Sequence, residues 1–117
     1  MKAFTFRLET LLHLREISKD RAIKEYAQAI SKREKLELDL KKAVKMLEVL
    51  NAEINERRAS GFSGFEQDGF NQSILRSKEV IIDLNSKVAD SKNIESAKRN
   101  LYLRADSNCK SLLKLKE

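Results

Sequence analysis

The side chains most capable of chemistry in this sequence are few. His13 is the only histidine and Cys109 the only cysteine. They are 96 positions apart, and no ligand spacing of the kind that holds zinc surrounds either one. A single cysteine makes no internal disulfide, which fits a reducing compartment; it reads as a small residue of a helical seam. His13, between Leu12 and Leu14, reads as a residue of a helix face. The 18 Asp and Glu side chains are numerous enough for acid–base work, but no pair stands apart from a helical charge pattern. Glu37/Lys41, Glu53/Arg57, Glu95/Arg99 and Asp106/Lys110 follow the i, i+4 spacing with the acid first, which stabilises an exposed helix by about 0.2–0.5 kcal/mol per pair. Two solvent-facing carboxylates have no pocket to tune them for general acid–base catalysis. The glycines do not form a phosphate-binding loop, because GxxxxGK[ST] is absent and no strand precedes them. The expectation is a protein that is not an enzyme and holds no metal, no cofactor and no small-molecule substrate.

Charge is the stronger signal. Residues 1–24 carry six Lys/Arg and three Asp/Glu, and residues 98–117 carry six and two, giving +3 and +4. The stretch 25–97 has 12 basic and 13 acidic residues, so its share of the net +6 is −1. A chain that brings its termini together concentrates about seven positive charges at one end, able to meet an acidic protein surface or nucleic acid. Aromatics interleaved with arginine, or a known nucleic-acid-binding pattern, would favour nucleic acid, and neither is present.

The elements that would position these residues follow from composition. With 117 residues, the chain has the length of one domain. It is 36% charged, 6% aromatic and free of tryptophan and proline, and its 41% hydrophobic content is mostly Leu, Ile, Val and Ala. That is the profile of a long helix or coiled coil rather than of disorder. No apolar run exceeds four or so residues, against the roughly 20 that a membrane-spanning helix needs. The N-terminus mixes Arg7, Glu9, Arg15 and Glu16 among apolar positions and has no secretory pattern, so an intracellular location is expected.

All three glycines fall within residues 61–69. Ser63-Gly64-Phe65-Glu66 has the spacing of a capping box, so the stretch predicts a tight reversal at about 60–66 between helices at about 4–59 and 66–116. The first segment would run roughly 84 Å at 1.5 Å per residue. Leu36, Leu40, Ala43, Leu47, Leu50 and Ile54 step by four and three as a heptad seam. Backwards, the same register passes Arg33, Ala29, Tyr26, Ala22, Lys19 and Arg15 to Leu12 and Leu8, so charged side chains fall in the groove. Around Phe4, Phe6, Leu8, Leu11, Leu12, Leu14 and Ile17 the apolar set is wider than one helix partner requires.

On the second segment Phe70, Ile74, Ser77, Ile81, Leu84 and Val88 form a seam. Ser91, Ile94, Ala97 and Leu101 then step by threes before Ala105, Cys109 and Leu112 restore the repeat, which predicts local overwinding and looser packing. A reversal near Phe62 places residues whose numbers sum to about 124 opposite one another: Ile54 with Phe70, Leu40 with Leu84, Ala22 with Tyr102, Leu12 with Leu112, and Arg33 beside Ser91. The predicted fold is all-α, two long helices forming an antiparallel coiled-coil hairpin. One seam barely offsets the entropy of ordering so long a chain, so a partner or self-association is expected.

The run Phe4-x-Phe6-Arg7-Leu8-Glu9-x-Leu11-Leu12-x-Leu14-Arg15-Glu16 resembles the N-terminal signature of the FliJ family of the bacterial flagellar type III export apparatus. Ser60-Gly61-Phe62-Ser63, followed by Glu66, Phe70, Ile74 and Leu75, is similar to that family's reversal. Members usually continue with an acidic, polar tail past the point where this sequence ends at Glu117, a departure from the pattern. The resemblance implies a non-enzymatic cytoplasmic stalk, associated with the membrane through its partners. These would be the hexameric export ATPase, the export-gate membrane protein and the export chaperones. Together with the wide apolar N-terminal stripe and the basic pole, it leads to the expectation that the open end, with Phe4, Phe6, Arg7, Leu8, Leu11, Arg15, Arg104 and Lys110, binds the ATPase, and that the export gate is met in the half nearer the turn, at Phe70, Ile74 and their exposed neighbours. Two other readings of the residues are a basic helical arm that binds RNA and a generic coiled-coil scaffold.

Overall fold

The computed structural model describes residues 2–116, with side chains to Leu115. It is all-α, an antiparallel hairpin of two long helices, α1 (Lys2–Ser60, 59 residues) and α2 (Gly64–Lys116, 53 residues). There is no strand among the described residues. The reversal is shorter than the predicted 60–66, because Ser60 still belongs to α1 and Gly64 already to α2.

Local chemistry explains that sharpness. Gly61 adopts φ +81°, the left-handed conformation that ends a helix at little cost only for glycine. Its N–H donates to the Arg58 carbonyl at 3.4 Å, and the Ser60 hydroxyl donates back to the carbonyls of Arg57 (3.2 Å) and Glu56 (3.3 Å). Arg57 and Arg58 place positive charge at the C-terminal end of the helix dipole. Ser63 then caps α2, its hydroxyl accepting from the Glu66 N–H at 3.2 Å as the capping-box spacing predicts. Phe62 packs edge-on against Phe70, ring centres 5.9 Å apart, and closes the apolar side of the turn.

Packing divides the chain into two compact units, Met1–Arg33 with Ser91–Glu117, and Glu34–Asp90. We call them the terminal unit and the turn unit. In the turn unit the seam is the expected one. Leu36, Leu40, Ala43, Leu47 and Leu50 are half-buried and Ile54 is buried at 3% exposure, while Phe70, Ile74, Ser77, Ile81, Leu84 and Val88 lie inward on α2. Leu38, Val49, Leu75 and Ile82 lie off this register and are exposed.

In the terminal unit the α1 register also holds, with Leu8, Leu12, Lys19, Ala22, Tyr26, Ala29 and Arg33 buried or half-buried; Arg15 is exposed. The α2 register does not follow the predicted three-residue steps. Ile94, Ala97 and Leu101 are exposed, and the inward positions are Ser91, Glu95, Lys98, Tyr102, Ala105, Cys109 and Leu112. This is an unbroken alternation of four and three, so neither the overwinding nor the looser far part is found. Ser91 and Cys109, at 4% exposure each, are among the most buried residues of the chain. The reason is electrostatic: Glu95 and Lys98 take seam positions because α1 supplies a partner of opposite charge for each.

The turn unit concentrates its burial on few side chains, which fixes where truncation hurts. Ile54→Ala should destabilise the hairpin by about 2–4 kcal/mol, through lost burial plus the void left behind. Ile82→Ala, at a 69% exposed position, should change it by less than about 0.5 kcal/mol. Urea denaturation of both variants, followed by circular dichroism, measures the difference; equal losses would contradict the seam described.

Candidate docking face of the terminal unit

Four contacts hold the terminal unit in register. Lys19 Nζ meets Asp106 Oδ1 at 2.9 Å, Lys98 Nζ meets Glu25 Oε2 at 3.3 Å, and Arg33 Nε donates to Glu95 Oε2. Between them Tyr26 stacks on Tyr102, ring centres 6.1 Å apart and planes 22° from parallel. The number sums of these pairs run from 123 to 128, around the predicted 124. No buried side-chain N or O among the described residues lacks a hydrogen-bond partner. Each pair therefore brings a charge toward the seam only where a counter-charge receives it.

Asp106 is held on both sides. Lys110, one turn on along α2, reaches Oδ2 at 2.9 Å while Lys19 takes the other oxygen from α1. The hydrogen bonds from Lys110 and Lys19 hold the Asp106 carboxyl below its usual value of 3.8. The same bond to Asp106 raises Lys19 above 10.5.

The residues expected at the binding end do not form one face. Phe4 and Leu11 are exposed on α1 with Arg7 beside them. Phe6, 71% exposed, is two residues from Phe4 and so about 200° away around the helix. Leu8 is half-buried in the seam, and Arg15 is exposed although it falls in seam register. Arg104 is exposed on α2. Lys110 is tied to Asp106. In the turn unit, Phe70 and Ile74 are half-buried seam residues, Phe70 against Phe62. The surface near them is instead Phe65 and Leu75.

Chemistry of other kinds has little to build on in this geometry. The depressions along the chain are open troughs, such as one of about 730 Å³ along Glu37, Leu40, Lys41, Val44, Lys45 and Glu48. Among the described residues no three His, Cys, Asp or Glu side chains gather as metal ligands would. No described helix is long and apolar enough to cross a membrane. Cys109 occupies the buried seam position read for it, and His13 is exposed.

Sequence reasoning missed the role of Glu95 and Lys98 because their types are not those of a seam, and it set Tyr102 opposite Ala22 where the structure stacks it on Tyr26. The signal was available in the pairing rule: Lys19/Asp106 and Glu25/Lys98 are opposite charges whose numbers sum to 125 and 123. Compared with known proteins, the chain matches no family model, no curated protein and no solved structure.

The ion pairs predict two pH limits. Asp106 has a depressed value when folded, so its contribution is present above its unfolded value and is lost as pH falls through the folded one. Lys19 has a raised value, so its contribution is complete below 10.5 and is lost as pH rises past the folded value. The thermal midpoint of the wild type should therefore drop both on acidification below the usual carboxylate range and above pH 10.5. Asp106→Asn should be less stable at neutral pH and lose less on acidification. An acid dependence identical in wild type and variant would refute the assignment.

Proposed function

We propose that the chain is a non-enzymatic coiled-coil stalk of a bacterial flagellar type III export apparatus, which docks on the export ATPase ring through its terminal unit. The observation that carries the reading is the run Phe4 to Glu16. It resembles the FliJ signature, and Phe4, Phe6, Leu11 and Leu14 stand exposed on it where a self-sufficient hairpin would have polar residues. Charge adds support. The terminal unit has 15 Lys/Arg and seven Asp/Glu, +8, whereas the turn unit has nine and 11, −2. A cationic, apolar-studded unit suits an acidic protein surface, in which charge steers the encounter and apolar burial holds the complex.

The export-gate protein and the chaperones enter the same proposal with less support. For the gate, the exposed Phe65 and Leu75 are better candidates than Phe70 and Ile74, whose inward packing is needed for the fold. In this reading the protein acts in the cytoplasm and reaches the membrane through its partners. The +8 terminal unit also favours a second reading, an RNA-binding helical arm, but RNA leaves the exposed leucines and phenylalanines unexplained.

Purified export ATPase separates these readings. The wild type should bind it and stimulate ATP hydrolysis, and the triple charge reversal Arg7→Glu, Arg15→Glu, Arg104→Glu should weaken binding by at least about tenfold with helicity retained. No binding by the wild type, or full binding by the variant, would remove the ATPase assignment. Tighter binding of single-stranded RNA that falls steeply with salt would establish the rival.

A further inference from the structure

The ion pairs that fill the terminal seam displace an apolar stripe from it, and the displaced stripe is periodic. On α2, Ile94, Ala97, Leu101, Arg104 and Asn108 each stand one residue before the inward positions Glu95, Lys98, Tyr102, Ala105 and Cys109. On α1, Arg7, Leu11 and Leu14 stand one residue before the seam register at Leu8, Leu12 and Arg15, and Arg21 and Lys32 stand one before Ala22 and Arg33. One residue is about 100° of rotation. In an antiparallel pair the same offset on both helices leads to the same side, because reversing the axis and turning the helix to face its partner cancel. The two stripes therefore border one lateral groove of the terminal unit.

It differs from the opposite side in charge more than in apolar content, since Ile23, Leu103 and Leu113 are exposed there beside the acids. The apolar members Phe4, Leu11, Leu14, Ile94, Leu101 and Leu115 are 41–68% exposed. Arg7, Arg21, Lys32 and Arg104 are exposed among them. The only described acid in the stripe is Glu25, and its carboxylate is taken by Lys98. Glu9, Glu16, Asp20 and Asp106 all lie on the other side of the seam, one residue after its positions. Its apolar knobs come from α1 near the termini, at Phe4, Leu11 and Leu14, and mainly from α2 further in, at Ile94 and Leu101, and with the cationic rim they make a bundle face that lacks a helix.

We propose that this groove receives a partner's amphipathic helix with acidic flanks, which completes a three-helix bundle on the terminal unit. From Phe4 to Lys32 the stripe extends about 42 Å, so the matching helix has about 28 residues. Charge selects this occupant. A second copy would bring a terminal unit of the same +8 against this one, and the turn unit of a second copy, at −2, carries little counter-charge. Nucleic acid would use the arginines but not the alternating apolar positions. The inference rests on the docking part of the function proposed above and not on the export assignment.

The test uses the full chain and a labelled synthetic helix of about 28 residues, with Leu at heptad positions a and d and Glu at e and g. Fluorescence anisotropy should show saturable one-to-one binding, weakened by raising NaCl from about 50 to about 500 mM. Leu14→Ser with Leu101→Ser should weaken it at least about tenfold, as should Arg21→Glu with Arg104→Glu; Leu103→Ser with Leu113→Ser, on the other side, should leave it within about twofold. All six positions are exposed, so circular dichroism should report an unchanged hairpin. The proposal falls if the Glu peptide does not bind, if a peptide with Lys at e and g binds as well, or if Leu103→Ser with Leu113→Ser is as harmful. It also falls if single-stranded RNA or anionic vesicles displace the peptide at lower concentration, or if sedimentation shows the face occupied by a second copy. Loss of ATPase binding with peptide binding intact would reject only the export assignment.

Discussion

A charged side chain at a seam position of a two-helix coiled coil must either bend its head out to water or meet an opposite charge across the groove. In the terminal unit Lys19, Glu25 and Arg33 meet Asp106, Lys98 and Glu95, and almost everything else about that unit depends on this outcome. Were the heads to turn outward, α2 would gain by rotating Ile94, Ala97 and Leu101 inward, as their spacing invites. The ion pairs hold the alternative register, with Tyr102 stacked on Tyr26 and Cys109 buried. Electrostatics sets the rotation of α2, and the rotation decides which leucines face water.

The turn unit follows a different economy. Its seam is apolar from Leu36 to Ile54 and, apart from Ser77, from Phe70 to Val88, and its closed end is fastened by Gly61, Ser63 and the Phe62–Phe70 contact. Apolar seams tolerate slippage in principle, since leucine packs against leucine in several registers. The three-residue turn removes that freedom near it. The terminal unit has no such connection between its segments, and oppositely charged pairs at fixed positions do the same work there. Sliding one segment by a heptad would strand Glu95 or Asp106 against apolar or like-charged neighbours.

This division explains what could be read from the sequence. The hairpin, its turn and the seam of the turn unit were legible because each has a local signature: clustered glycines, a capping serine, and apolar residues at three-four spacing. The α2 register between Ser91 and Ala105 was not, because a search for apolar residues at seam spacing finds Ile94, Ala97 and Leu101 and steps onto the wrong stripe before Ala105, Cys109 and Leu112 regain the right one. Only pairing both helices at once, with charge counted as well as hydrophobicity, selects Glu95 and Lys98. The binding end was legible as an excess of apolar and basic residues, but not as a face. Phe4 and Phe6 look equivalent in a one-dimensional list and lie on different sides of α1, while Leu8 is inside.

A stripe of leucines displaced by one residue has a cost that selection for stability alone would remove. Burying a side chain such as Leu101 or Leu14 fully gains about 1.5–3 kcal/mol, and at 47% and 57% exposure these two leave about half of that gain unrealised. The acids are also sorted: the described ones of the terminal unit either enter the seam pairs or lie on the side away from the stripe, and the one described carboxylate on the apolar side, Glu25, is taken by Lys98. Apolar periodicity, cationic rim and ion-paired seam are mutually consistent if the terminal unit is two-thirds of a bundle. The pairs then serve two ends at once, since they keep the two helices together without a third and keep the leucines outside for it.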